Sequence, residues 1–333
     1  MDTEGNFTET VHKDVKGVLS LNEASYLAFE GEDILNEALT FSRTHLNQLK
    51  TKLNPYMSEL VSHSLELPRH YRMRRLEVRW YTEAYCKKDA NCMLLEFAKL
   101  DFNRVESIYQ EEIKNLTRWW KDIDLAKNLK FARDRLMECF IWSVGMVPKP
   151  QYSNCRRVLT KVAAFVTIID DIYDVYGTLD ELELFTYAVE RIEGYSGSDI
   201  RLLSKEAAMQ PLRRLIVLLE GRQEVVPEDG RSINKKALES LEKYHNLIRW
   251  PSTIFRLSND LATSKAEWER GETASLILCY MHETGLTEEI ARQHLRNMID
   301  ICWKKMNKEW VNDQHPFAEP FVETAFNLAR IAH

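Results

Sequence analysis

Asp170, Asp171 and Asp174 fall in the stretch Asp170-Asp171-Ile172-Tyr173-Asp174, directly after the apolar run from Val162 to Ile169. On a helix, positions i and i+4 are neighbours, so Asp170 and Asp174 share a face while Asp171 sits about 100° around. Carboxylates that close repel each other unless a cation lies between them. A second oxygen-rich stripe stands at Asn259, Thr263 and Glu267, spaced i, i+4 and i+8. Its amide, hydroxyl and carboxylate oxygens are hard ligands of the kind Mg²⁺ accepts, and hard cations hold phosphates. Together the two motifs predict metal-assisted binding of a phosphorylated ligand. Alone, each reads as a solvated acidic helix end or a wet polar stripe. The run before Asp170, apolar but for Thr167, favours a buried helix that delivers its carboxylates to an interior rim.

Basic and aromatic residues extend the pattern. Arg133 and Arg135 lie upstream, and Arg256 stands one helical turn before Asn259. Guanidinium groups fork onto phosphate oxygens. Arg133 and Arg135 can reach one ligand only from a helix end or loop; otherwise they are ordinary surface ion pairs. Among the aromatics, Trp142 and then Tyr173 are the candidates to line a cavity and stabilise a cation with their ring faces. Phe255 is assigned to core packing, and Ser264, Lys265 and Glu269 to the wet side of their helix.

The elements that must position these residues are helices. Only 11 glycines and 9 prolines occur in 333 residues, and apolar positions recur with a 3.6-residue period, as in Ile34–Phe41 and Cys92–Ala98. The fold is read as all-α. Pro148-Lys149-Pro150 predicts a helix break before the apolar run, and Gly177 a helix C-cap. Leu328–His333 is still in helical pattern and reads as cut. The polar turns Gly194–Asp199 and Pro227–Gly230 flank a basic amphipathic stretch that reads as a surface insertion. At 44% hydrophobic, 29% charged and net charge −6, the chain gives no reason to expect nucleic acid or an anionic membrane surface as partner. No apolar stretch is long enough to span a bilayer, and no transit peptide starts at the polar first residues. Six cysteines without ligand spacing read as free thiols, several of them in the core.

These words resemble the plant class I terpene synthases, of the angiosperm group that mostly makes monoterpenes. The likeness rests on Phe131-Ala132-Arg133-Asp134-Arg135-Leu136, on Thr167 to Thr178, on Lys243 to Glu267, on Arg270-Gly271-Glu272, on Cys279-Tyr280-Met281 and on Phe317-Ala318-Glu319-Pro320-Phe321. The resemblance implies an incomplete class I helical bundle over 86–333, preceded over 1–85 by the last helices of an N-terminal α-barrel. It implies that Asp170 and Asp174 with Asn259, Thr263 and Glu267 bind three Mg²⁺, with Mn²⁺ as a substitute. It places Arg133 and Arg256 on the diphosphate of a prenyl diphosphate, geranyl diphosphate foremost, with Arg135 assisting and Asp171 as partner of an arginine. Ionisation to a carbocation then gives a monoterpene. The expected protein is a monomer, plastidial as the family's monoterpene members are, or cytoplasmic.

Departures accompany the likeness. No DxDD motif is present, so class II protonation is not implied. Family similarity is lost near Gly194 and returns near Ala237, across a stretch too short for the pocket helices. Residues 193–229 resemble instead the small helical domain of katanin-like AAA ATPases, although no GxxxxGK[ST] loop accompanies them. A fused or mispredicted gene model explains the interruption at 193–236. The alternative reading is a catalytically dead relative that still binds metal and diphosphate. A chain-elongating prenyltransferase ranks lower, because its second motif is normally aspartate-rich.

Overall fold

The computed structural model describes residues 13–86, 91–125, 129, 133–172, 178–184, 187, 245–269, 275–312, 317 and 319–333, without the side chains of 266–269. Its regular structure is helical throughout, as the 3.6-residue periodicity predicts. The α-helices defined among the described residues are α1 (Val15–Ser25), α2 (Asp33–Leu49), α3 (Pro55–Glu66), α4 (Val78–Cys86), α5 (Cys92–Ile123), α6 (Leu136–Met146), α7 (Ser153–Asp171), α8 (Asn246–Glu269), α9 (Leu276–Thr284), α10 (Glu288–Trp310) and α11 (Glu319–Arg330). None is long and apolar enough to cross a membrane.

Two compact units divide the chain. The first comprises Met1–Phe102, Asn246–His315 and Ala325–His333, the second Asn103–His245 and Pro316–Thr324.

In the first unit, side chains supply the helix starts. Asp14 caps α1 by accepting from the Gly17 N–H at 3.0 Å. Asn54 does the same for Met57 at 2.9 Å, with Pro55 at the first helical position where its missing N–H costs nothing. Val18, Leu46 and Val61 are fully buried where α1, α2 and α3 meet. Elsewhere in this unit α8 packs along α10. There the buried Trp303 ring stacks on Tyr71, centroids 4.2 Å apart and planes 16° from parallel. Gly285, at φ +69°, closes α9 in the left-handed conformation that favours glycine.

The second unit is built on α6 and α7, folded against each other and against α5. Val105, Tyr109 and Leu116 of α5 meet Leu136, Cys139, Phe140 and Val144 of α6 and Ala164 of α7. The predicted break is present: α6 ends at Met146 and a 3-10 turn over Pro150–Tyr152 leads into α7. Its carbonyls are tied down by Arg156, a fully buried side chain whose Nη1 donates to Val147 O at 2.8 Å and to Lys149 O at 2.6 Å. The same guanidinium forks onto Glu112 of α5, with Nη2 on Oε1 at 2.6 Å and Nε on Oε2 at 2.9 Å. Tyr109 completes the clasp by donating to Pro148 O at 2.5 Å.

The expectation of an enclosed α7 is corrected. The helix buries one stripe, through Arg156, Leu159, Thr160, Ala164, Ile168 and Asp171, while Phe165 is 40% exposed. Along Val162–Ile169 the apolar composition conceals a one-sided helix. All six cysteines are free thiols; Cys139, Cys155 and Cys302 are buried and Cys86, Cys92 and Cys279 exposed. Burial pushes the Cys155 thiol up to about 12, against the lowering influence of Arg156.

Candidate metal and diphosphate site

The aspartate motif stands at the C-terminal end of α7. Its two described carboxylates part company: Asp171 continues the buried stripe, while Asp170, about 100° around the helix, is exposed. Asp171 meets the arginines. Arg133 donates from Nη2 to Oδ1 at 2.6 Å and from Nε to Oδ2 at 3.4 Å, and Arg135 Nη2 lies 3.8 Å from Oδ1. Both arginines reach one carboxylate because Arg133 lies in loop and Arg135 is the N-cap residue of α6. Burial raises the Asp171 carboxyl, but the hydrogen bond and charge of Arg133, with the charge of Arg135, outweigh it and hold it below the usual carboxylate range. It is therefore ionised near neutral pH. Tyr173, Asp174 and Gly177 lie outside the described residues. Trp142 is half-buried and packs against the core cluster of α5, α6 and α7.

The second motif lies in the later half of α8. Asn259 and Thr263, both half-buried, sit one turn apart on one face: Thr263 Oγ1 donates to Asn259 O at 2.8 Å, and Asn259 Nδ2 stands 3.5 Å from Thr263 Oγ1. Glu267 continues α8, with its side chain outside the described residues. Arg256, a turn earlier, places Nε 3.2 Å from Asp260 Oδ1, its side chain 62% exposed beside a fully buried carboxylate. Asp260 Oδ2 accepts from the Leu276 N–H at 3.0 Å, at the first residue of α9.

Two residues here escape sequence reasoning. Asp260 shows only an i,i+4 spacing from Arg256, a signal that exposed ion pairs share. Arg292 of α10 gives none: its Nη1 donates to Leu261 O and its Nη2 to Ser264 Oγ, both at 2.9 Å. Ser264 is in consequence buried rather than on the wet side. Lys265 is exposed, as expected.

Hard-oxygen chemistry fits the proposed metal: Asp170, Asn259 and Thr263 offer oxygen donors, and no thiolate or imidazole accompanies them in either motif. Among the described residues no group of three or more His, Cys, Asp and Glu side chains forms a metal cluster by itself.

An all-helical fold carrying an aspartate-rich helix end and an Asn/Thr/Glu stripe defines a class of metal-binding helical proteins, and three family models place the chain within it. Residues 121–210 match the terpene synthase family metal binding domain, 225–305 the terpene synthase family 2 C-terminal metal binding domain, and 1–65 the terpene synthase N-terminal domain. Among similar proteins, the chloroplastic isoprene synthase of Populus tremuloides is 44% identical over all of this chain and 65% of its own length. The chloroplastic tricyclene synthase TPS4 of Medicago truncatula is 42% identical over all of this chain and 67% of its own. A crystal structure of isoprene synthase from grey poplar leaves, Populus x canescens, holds three Mg²⁺ ions and dimethylallyl-S-thiolodiphosphate; it superposes with a TM-score of 0.84 at 43% identity, over 99% of this chain and 74% of that one. The chain belongs to the terpene synthase family.

The chain spans 65% of the length of the Populus tremuloides relative. The 389 aligned positions, set against 333 residues here, leave at least 56 positions of that relative without a counterpart. Matching to the two metal binding domain models runs to residue 210 and resumes at 225. Both ends of the AAA-like stretch 193–229 therefore fall inside terpene synthase matches, and the stretch itself lies outside the described residues.

Proposed function

We propose that the chain is a Mg²⁺-dependent terpene synthase that ionises a prenyl diphosphate, geranyl diphosphate foremost, and releases diphosphate and a monoterpene. The observation that carries this reading is the pairing of arginine with motif in each unit: Arg133 and Arg135 beside the Asp170/Asp171 helix end, and Arg256 a turn before the Asn259/Thr263 stripe.

Asp170, Asp174, Asn259, Thr263 and Glu267 would hold Mg²⁺. Bound there, the ions supply positive charge that stabilises a diphosphate leaving group. Arg133 and Arg256 grip the diphosphate oxygens, and Arg135 assists. Asp171, ionised between the two upstream arginines, orients their guanidinium groups for that grip. Trp142 and Tyr173 offer ring faces to the carbocation, which lasts only where water is excluded. Loss of a proton yields an olefin; capture of water yields an alcohol.

Dimethylallyl diphosphate is the second substrate reading, favoured by 44% identity to an isoprene synthase. The test incubates the purified chain with MgCl₂ and each diphosphate in turn, with gas chromatography of the headspace and a pyrophosphate assay. A C10 hydrocarbon or alcohol supports the first reading and isoprene the second. Binding of either diphosphate without product supports the metal- and diphosphate-binding relative. No binding at all overturns the proposal.

Residues 193–236 are proposed to replace pocket helices through a fused or mispredicted gene model, between the blocks 86–192 and 237–333. A source transcript that reads as printed across codons 185 to 245 would overturn the mispredicted model. We place the protein in plastids by the chloroplastic designation of its relatives, and as a monomer, which light scattering would check.

A further inference from the structure

We infer that Asp260 is a positioning residue that sets Arg256 for a diphosphate, an inference that rests on the diphosphate-binding reading above. Asp260 is fully buried within α8 and spends its two oxygens on different tasks. Oδ1 faces Arg256 Nε at 3.2 Å; Oδ2 accepts the Leu276 N–H at 3.0 Å. The second bond matters for the first. It anchors the carboxylate to the start of α9, 16 residues further along the chain, so Asp260 cannot swing with a flexible partner.

The buried, fixed charge of Asp260 draws Arg256 to it as an ion pair, a contact at 3.2 Å rather than an aligned hydrogen bond. The Arg256 side chain is 62% exposed, which leaves a guanidinium edge open to a ligand. That edge is the fork that meets two oxygens of a phosphate group. Arg256 lies a turn before Asn259 on the same helix, and Asn259 and Thr263 share a face. The fork and the oxygen stripe therefore rise from one rigid element. An arginine with no fixed charge beside it has more rotamer freedom to lose on binding. The charge of Asp260 narrows that freedom in advance. Exposed i,i+4 pairs contribute little by themselves; a fully buried carboxylate, fixed by the Leu276 N–H, distinguishes this one.

The test measures binding of inorganic pyrophosphate with MgCl₂ by calorimetry, using the full chain, Arg256→Ala, Asp260→Asn and the double variant. Asparagine keeps the shape and can still accept from Leu276, so thermal unfolding should change little. The expected result is about tenfold weaker binding for Asp260→Asn, equal or greater loss for Arg256→Ala, and a double variant no worse than Arg256→Ala. Added guanidinium ion should restore part of the binding in Arg256→Ala but not in the double variant. If Asp260→Asn does not fold, Arg256→Lys takes its place: an ammonium beside Asp260 cannot fork onto two phosphate oxygens, and the same tenfold loss is expected. Unchanged binding in Asp260→Asn, losses that simply add, or unchanged binding in Arg256→Lys where that variant is used, would overturn the inference alone. Failure of the unaltered chain to bind pyrophosphate overturns the diphosphate reading on which it rests.

Discussion

Asp170 and Asp171 are adjacent in sequence yet face different surroundings. A helix rotates about 100° per residue, so only one of two neighbours can continue the buried stripe of α7. Asp171 does, and the arginines meet it there. Replacing it with asparagine should destabilise the protein by about 1–2 kcal/mol at pH 7, since a charge-assisted bond is lost to a half-exposed arginine. The pH dependence has a definite sign. The folded carboxyl titrates below the unfolded value of about 3.9, so its stabilisation is fully present above that value and lost as pH falls through the folded one. Urea unfolding of both proteins should show a gap at pH 7 that closes below about pH 4; a gap constant with pH would refute this account. That Asp170 and Asp171 point apart was legible from helical geometry alone. Which of them is buried was not, because the partner that meets it is an arginine 38 residues away, in the loop before α6. Ser264 was misread for the same reason: Arg292, which covers it, comes from α10.

At the scale of elements, the helices follow from a 3.6-residue apolar period and the α6–α7 break from Pro148-Lys149-Pro150. The clasp across that break had no sequence signal, since Glu112 and Arg156 are 44 residues apart. Arg156 neutralises Glu112 and occupies two carbonyls that the broken helix cannot satisfy. Glu112→Ala would leave a fully buried guanidinium without its counter-charge and should cost about 3–5 kcal/mol. The midpoint of a denaturation curve measures this directly. An apolar exchange of both partners is often neutral for a buried pair. Here it should remain destabilising, because Val147 and Lys149 would lose their donor. A neutral double exchange would show that water can replace Arg156 at these carbonyls.

Across the whole molecule, the cysteines divide evenly between surface and core. Cys86, Cys92 and Cys279 are exposed, while Cys139, Cys155 and Cys302 are buried with thiols that burial pushes upward. Reactivity needs the thiolate and access to it. A native sample should therefore titrate with a disulfide reagent in two stages, three thiols quickly and three only on unfolding. Rapid modification of all six would mean that the core opens far more readily than its packing suggests. Composition identified the thiols as unpaired; burial decides which of them stay silent.

Tyr71 and Trp303 lie stacked and buried, entirely within the first unit. Two aromatic transition dipoles held that close in one chiral orientation couple, so the pair should dominate the near-ultraviolet circular dichroism of that unit. Far-ultraviolet ellipticity follows helices everywhere in the chain. Monitored together during heating, the two bands would tell whether the first unit loses its packing in step with the helices or ahead of them.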